Sequence, residues 1–599
     1  MTFFAQFRAR RKFRVSLLLL GSFVALIFPE ATLAQTPASP SPSPSSSVAS
    51  SDLADSAGQG RILLVLPFDN QTDQAAPPTT AQSATSPTKL APANLDPTNL
   101  DWIREAAPEI LNNRFTSAGF LPLTREDRLY ALDHLGLPET FEPSRATALR
   151  IAQTLDANYI LIGSYRVSGS TLTLQARIVD VSKLRLSDPI TETGELSQLI
   201  PLLNSLAWQL TRKLDPGFGV AEETFRAAGS KLRLDAFEQY IRGLTERTTE
   251  ERLGHLKKAT DLSPDFTAAW LATAKLQFAS QQYEEAAVSF SRVTKSDPSA
   301  LEAAFYRGLS LMFSGNYPRA EEAFAAVARV LPLPEVVNNE AVAMSRRGHD
   351  AIALFRQAEA ADPTDADYHF NLSVSLHRHG DKAEALTELA QSLKLRPNDS
   401  ESKALEEAWK TEKPQTDKPQ SDGVMASRPE PLERIKRTYN GAAFRQAALM
   451  LDQVEAARLA ALPGPERAAR LSTSAREKLD RGLLLEAERG YQAALAADDH
   501  SAQAHAGLAE VRERAGDIDA ARKEAQAALD RQPNLDAYLV LARLDLAANH
   551  LPEAQKEAEA ATKLDSTNRA AKDLRKTIDA RIDSHSASDV KPSTTQTKP

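Results

Sequence analysis

The chain has 599 residues, a formal net charge of −8 and no cysteine. This length allows several cores, while the missing thiols exclude a disulfide framework, a cysteine-linked lipid and a thiolate metal site. The acidic balance disfavours generic phosphate-backbone binding, so nucleic acid is not an expected partner.

Arg8, Arg10, Arg11, Lys12 and Arg14 precede an apolar run from Val15 to Phe28, and Ala31-Thr32-Leu33-Ala34 supplies small residues before Gln35. Basic, apolar and small-residue regions in that order predict an export signal over residues 1–34. The competing reading, a membrane anchor, needs about 20 apolar residues, more than this run offers. Arg10-Arg11-Lys12-Phe13 also resembles a twin-arginine export motif, although an ordinary basic leader accounts for it. Cleavage would remove five basic residues and one acid, taking the net charge from −8 to −12. Export without disulfides suits a bacterial periplasm or cell envelope, with no membrane span left in the mature chain.

Residues 35–60 are a Pro/Ser-rich tether, expected to be disordered because they cannot bury enough apolar surface to offset chain entropy. A mixed domain is expected over 61–215. Ile62-Leu63-Leu64-Val65-Leu66 reads as a strand buried on both faces. A loose insertion follows over about 72–99. Ile103, Ala107, Ile110 and Leu111 recur at helical spacing, and Phe120-Leu121-Pro122-Leu123 reads as an edge strand. Ser144 opens a helix carrying Ala148, Ile151, Ala152 and Leu155 on one face. Tyr159-Ile160-Leu161-Ile162-Gly163 begins a strand, Gly169-Ser170 reads as a hairpin turn, and Leu172, Leu174, Ala176 and Ile178 alternate with polar neighbours. An amphipathic helix from Leu199 to Leu214 closes the domain, giving an α+β or α/β sandwich of four or five strands.

The series Leu66-Pro67-Phe68-Asp69-Asn70, Ala157-Asn158-Tyr159-Ile160-Leu161-Ile162-Gly163-Ser164 and Leu174-Gln175-Ala176-Arg177-Ile178-Val179-Asp180 resembles the TolB amino-terminal domain. Related envelope domains occur in CsgG and LpoB. The resemblance implies partner binding in the cell envelope. The long insertion after Asn70 departs from that pattern, and no TolB-like β-propeller follows.

Downstream, Pro264, Pro298, Pro332, Pro363 and Pro397 are spaced by 34, 34, 31 and 34 residues. Ala286, Ala320, Ala351 and Ala385 lie twelve residues before their prolines. Leu256, Phe290, Phe324, Phe355 and Leu389 lie eight before. Crossing helices need a small residue where backbones approach and a large one where the gap widens. This rhythm resembles the tetratricopeptide repeat (TPR), a helix–turn–helix unit, and implies about five repeats over 234–407. A flexible linker is expected over 408–434. A second all-α array of three to four repeats over 435–580 keeps the period through Gly482, Gly516 and Asn549. In this reading Ile435–Leu462 is a divergent leading unit, residues 581–599 are a disordered tail, and the linker lets the two arrays move independently.

No phosphate loop, nucleophile elbow or zinc-protease helix occurs, so no cofactor and no catalytic residue is expected. His369, His377 and His379 share one repeat helix, but helical geometry puts His379 on a different face, so metal binding is not expected. Adjacent acids such as Asp498-Asp499, Glu284-Glu285 and Glu321-Glu322 diverge by about 100° on a helix and read as solvated faces or turns. TPR superhelices line a concave groove with the first helix of each unit. By position this picks Leu271, Lys275, Phe278, Phe305, Leu309, Met312, Arg346, Phe370, Val374 and Arg378. Such a strip suits an extended or helical peptide with acidic character. These positions do not reproduce the Lys/Asn clamp of chaperone-tail-binding TPRs. The expected function is a non-enzymatic envelope scaffold for protein or peptide partners. The alternatives are a ligand-sensing regulator and an accessory factor of an envelope enzyme or secretion assembly.

Overall fold

The computed structural model describes residues 61–72, 100–139, 144–228, 232–295, 297, 299–411, 431–439 and 441–589. The expected leader, the tether over 35–60, nearly all of the insertion and Pro298 lie outside the described residues.

Strands β1 (Ile62–Val65), β2 (Asp69–Asn70), β3 (Leu121–Pro122), β4 (Tyr159–Ser168), β5 (Thr171–Asp180), β6 (Arg185–Leu186) and β7 (Ile190–Glu195) form one seven-stranded sheet. This exceeds the expected four or five because the pairs at 69–70 and 185–186 are too short to show a period and Ile190–Glu195 carries a single apolar side chain. β1 runs parallel to both β3 and β4, and β5 returns antiparallel to β4 around Gly169. Helices α1 (Ile103–Ala118), α2 (Arg125–His134), α3 (Arg145–Thr154), α4 (Leu199–Leu214) and the short α5 (Glu222–Ala227) complete this region. Alternation decides the faces. Leu63 and Val65 join the core of α1 and α4, while Leu64 and Leu66 join that of α2 and α3. Gly163 is required at its position, because a Cβ there would lie 2.3 Å from the Phe68 ring.

The first array is built of antiparallel helix pairs: α6 (Leu234–Thr245) with α7 (Thr249–Leu262), α8 (Thr267–Ala279) with α9 (Tyr283–Phe290), and α10 (Ala300–Phe313) with α11 (Tyr317–Ala328). It continues with α12 (Pro334–Arg346) and α13 (Ile352–Ala361), α14 (Ala366–His379) and α15 (Lys382–Leu395), and a single α16 (Ser400–Thr411). The small and large rungs read from the sequence are all buried, with Ala286, Ala320 and Ala385 at 0% exposure and Phe324, Phe355 and Leu389 likewise. Gly315, Gly348 and Gly380 turn between paired helices at φ +76°, +77° and +102°, a left-handed backbone that glycine adopts without strain.

Three boundaries change. The stretch expected to be linker begins inside α16, and residues 431–439 are extended and packed against the first array. The expected leading unit over 435–462 is instead one helix, α17 (Gly441–Ala460), because no Gly or Pro interrupts it after its first residue. The second array then follows as α18 (Gly464–Asp480) with α19 (Leu484–Ala497), α20 (Ala502–Ala515) with α21 (Ile518–Arg531), and α22 (Leu535–Ala547) with α23 (Leu551–Leu564). A long last helix, α24 (Arg569–Asp589), enters the stretch expected to be disordered. Ile578 and Ile582 hold it in a core with Ala554 and Ala558.

The arrays do not hang loosely from a linker. The core of α1 and α4 continues through Phe225, Phe237, Tyr240, Ile241 and Leu256 into the first array and reaches Leu485 of the second. Arg489 donates to the Ser117 carbonyl at 3.0 Å, and Glu488 accepts from the Ala221 N–H at 3.0 Å. At the junction with the first array, the Tyr240 hydroxyl donates to Glu109 at 3.2 Å. Desolvation, reinforced by the Glu126 and Glu105 carboxylates, pushes the Glu109 carboxyl up to about 7, against the Tyr240 bond and Arg128. A carboxyl raised on folding favours the folded state at low pH, and this contribution is lost as pH rises through about 7. Glu109→Gln keeps an acceptor for Tyr240. It should leave stability unchanged near pH 4 and raise it by on the order of 2 kcal/mol near pH 8, read from urea midpoints at both values.

Candidate functional site

Asn339 and Asn371 each stand sixth in their helices, the place that Phe305 takes in α10. Asparagine is a poor helix former because its amide competes for backbone bonds, yet both side chains, with Asn338 beside them, are 0% exposed. Buried amides need partners, and these find theirs on the extended stretch Pro431–Tyr439.

Asn371 accepts from the Arg434 N–H at 2.6 Å and donates to the Arg434 carbonyl at 2.8 Å. Asn339 does the same to Lys436, both bonds at 2.8 Å. Asn338 donates to the Arg434 carbonyl at 3.1 Å and accepts from Asn371 at 2.7 Å. Alternate residues of an extended chain thus have N–H and C=O paired, as an edge strand would pair them. Such bonds read the backbone and are indifferent to the side chains.

The side chains are read by charge. The Glu433 side chain is 0% exposed and lies against Arg346 at 3.0 Å, with Arg378 and Ser345 also bonded to it. Arg378 donates in addition to the Pro431 carbonyl at 2.8 Å. Arg434 spreads over the Phe370 ring, 3.6 Å from its centroid, and pairs with Asp399 at 2.7 Å, Glu401 at 2.9 Å and Asp367 at 3.2 Å. Lys436 sits over Tyr368 and pairs with Asp365 at 2.7 Å and Asp367 at 2.8 Å. Burial alone would raise the Asp367 carboxyl, but Arg396 and Lys436 hold it well below the ordinary carboxylate range. Tyr439 closes the row against Phe305, with ring centroids 5.6 Å apart.

Of the residues expected to line a groove, Arg346, Phe370, Arg378 and Phe305 meet this stretch. Leu309, Met312 and Val374 are buried in the apolar core that Phe305 and Phe370 share. Leu271 and Phe278 pack beside Phe290 and Tyr306. Lys275 is drawn to Glu302 at 2.7 Å and Glu126 at 3.7 Å. The chain's own stretch in this groove brings one acid and two bases to it, Glu433, Arg434 and Lys436. The three asparagines were missed. Their signal was present: an amide recurring at one helical position inside an otherwise apolar repeat.

The histidines go to separate partners, His369 to Glu388 and the Pro363 carbonyl, His377 onto the Trp409 ring, and His379 to Asp381. Asp498, Asp499 and His500 bring ligand atoms within 4.8 Å of one another at a largely exposed turn. Among the described residues no helix is long and apolar enough to cross a membrane.

A family model described as tetratricopeptide repeat matches residues 271–332, 341–400 and 473–536. No curated protein matches the chain. Among solved structures, YrrB, titled a TPR protein with an unusual peptide-binding site, is 17% identical, with 31% of this chain and 97% of that one covered and a TM-score of 0.27. The LpoB C-terminal domain from Salmonella enterica is 19% identical, with 24% and 91% covered and a TM-score of 0.18. The TPR domain of P58(IPK) is 15% identical, with 61% and 92% covered and a TM-score of 0.19. The matched stretches fall in both helical arrays, and the chain carries tetratricopeptide repeats in each.

Proposed function

We propose that this protein is a non-enzymatic, exported interaction scaffold of the bacterial cell envelope, and that the first array holds an extended segment of a protein partner. The observation that carries the reading is the pairing of Asn339 and Asn371 with the N–H and C=O groups of an extended chain. Buried amides in this geometry serve an extended backbone of any sequence, and flanking charges then select among sequences. The leader-like residues 1–34 support export, and the sheet region with its TolB-like series supports an envelope setting.

The test is capture from envelope fractions with the full chain and with the Asn338→Ala/Asn339→Ala/Asn371→Ala variant. A partner retained by the native chain should be weakened by about tenfold for each asparagine that loses its backbone bonds. An identical retained set on both chains would refute a groove-held partner. N-terminal sequencing of the mature protein should begin at Gln35.

A further inference from the structure

We propose that Pro431–Arg437 is a built-in occupant of the first array's groove, displaced by a partner presenting an extended segment of the same pattern: a buried acid, a base, an apolar residue and a second base. This rests on the scaffold reading above and adds the partner's chemistry and a gate.

The pattern follows from what each position meets. Glu433 enters a site made by Arg346 and Arg378. Arg434 and Lys436 enter one made by Asp365, Asp367, Asp399 and Glu401, with aromatic rings beneath both cations. Between them Ile435 packs on the apolar core of the array. The opposite charges lie along the groove in a fixed order, so a reversed pattern would set like charges together.

Exchange is favoured by the kind of contacts that hold the stretch. Apart from Ile435 and the buried Glu433, they are side-chain bonds to backbone and partly exposed ion pairs, which contribute modestly because water makes similar bonds. The Arg434 and Lys436 side chains keep 18% and 19% exposure, so water reaches both. The stretch is joined to α16 by residues 412–430, outside the described residues, and its other end is fixed by Tyr439 and Phe444 in the core. Departure of Pro431–Arg437 therefore breaks none of the helix pairs. Because it belongs to the same chain, the occupant competes at an effective concentration in about the millimolar range, and a partner must overcome this.

The test uses a fluorescein-labelled peptide of sequence Pro431–Tyr439 and anisotropy. Glu433→Ala/Arg434→Ala in the full chain weakens the occupant while leaving every groove residue intact. This variant should bind the peptide at least about tenfold more tightly than the native chain does. Adding Asn339→Ala/Asn371→Ala should return binding to background. Equal affinity of the native and Glu433→Ala/Arg434→Ala chains would overturn the gate. So would absence of binding to both with helical content intact by circular dichroism. Dimerisation of the variant on size exclusion, with the peptide excluded, would also overturn it by assigning the groove to a second copy. The scaffold reading fails separately, when capture from envelope fractions is insensitive to the asparagines.

Discussion

Replacing Arg346 and Arg378 together by methionine will free Pro431–Arg437 from the groove and raise amide exchange at Arg434 and Lys436 by about 10²–10³-fold. In the native chain these two amides are bonded to Asn371 and Asn339. Glu433 has no exposed side-chain surface, and the two guanidiniums are the cations that pair with it. A buried carboxylate stripped of its cations costs about 3–5 kcal/mol, more than the remaining bonds of the stretch can hold against water. Methionine keeps the apolar stem of arginine, so the packing of α12 and α14 is preserved. Hydrogen exchange read by mass spectrometry on the full chain decides the matter. Unchanged protection at both amides would mean that the asparagines alone hold the segment.

Phe324→Ala should cost about 3–5 kcal/mol, read as a drop in urea midpoint. The ring is fully buried between α10 and α11. It stands edge-on to Phe305 at 5.8 Å and covers Gly308, where a Cβ would lie 2.7 Å from the ring. Gly308→Ala alone should therefore be destabilising by about 1–3 kcal/mol through overpacking. In the Phe324→Ala background the same change fills part of the cavity, so the two losses will not add. Additive losses would show that the helices shift apart and that the ring and glycine are not a fitted pair. Phe305 also underlies Tyr439, so the cavity should weaken the aromatic end of the groove as well.

The repeat architecture was legible because its determinants are periodic. Ala320, Phe324 and their counterparts recur by rule, and a rule survives the shortened turn at Gly348. The sheet was legible where apolar residues run together or alternate, as in Leu172 to Ile178, and illegible in the two-residue bridge at 185–186 and in Ile190–Glu195, whose one apolar side chain is Ile190. The groove was half legible. Arg346, Phe370 and Arg378 follow from position in the repeat. Its occupant does not, because an extended chain bonded by foreign asparagines needs no apolar period of its own. Pro431, Glu433, Arg434 and Lys436 carry the composition of a solvated linker, and only a surface elsewhere in the chain gives them a place. The same holds for the link between the sheet region and both arrays, which rests on contacts between residues as far apart as Ser117 and Arg489.

That link bears on where the molecule can be divided. Trp102 of the sheet region meets Phe237 of the first array edge-on at 6.3 Å, and Trp208 donates to the Val220 carbonyl at 2.9 Å. A fragment ending at residue 215 would strip Trp102, Leu203 and Leu206 of their covering from Phe218, Val220, Phe225 and Phe237. The resulting apolar scar would make the excised piece sticky, and its behaviour would report the cut and not the native fold. Cohesion here crosses the border that the repeats draw in the sequence, so the smallest honest unit for dissection extends into the first helix pairs.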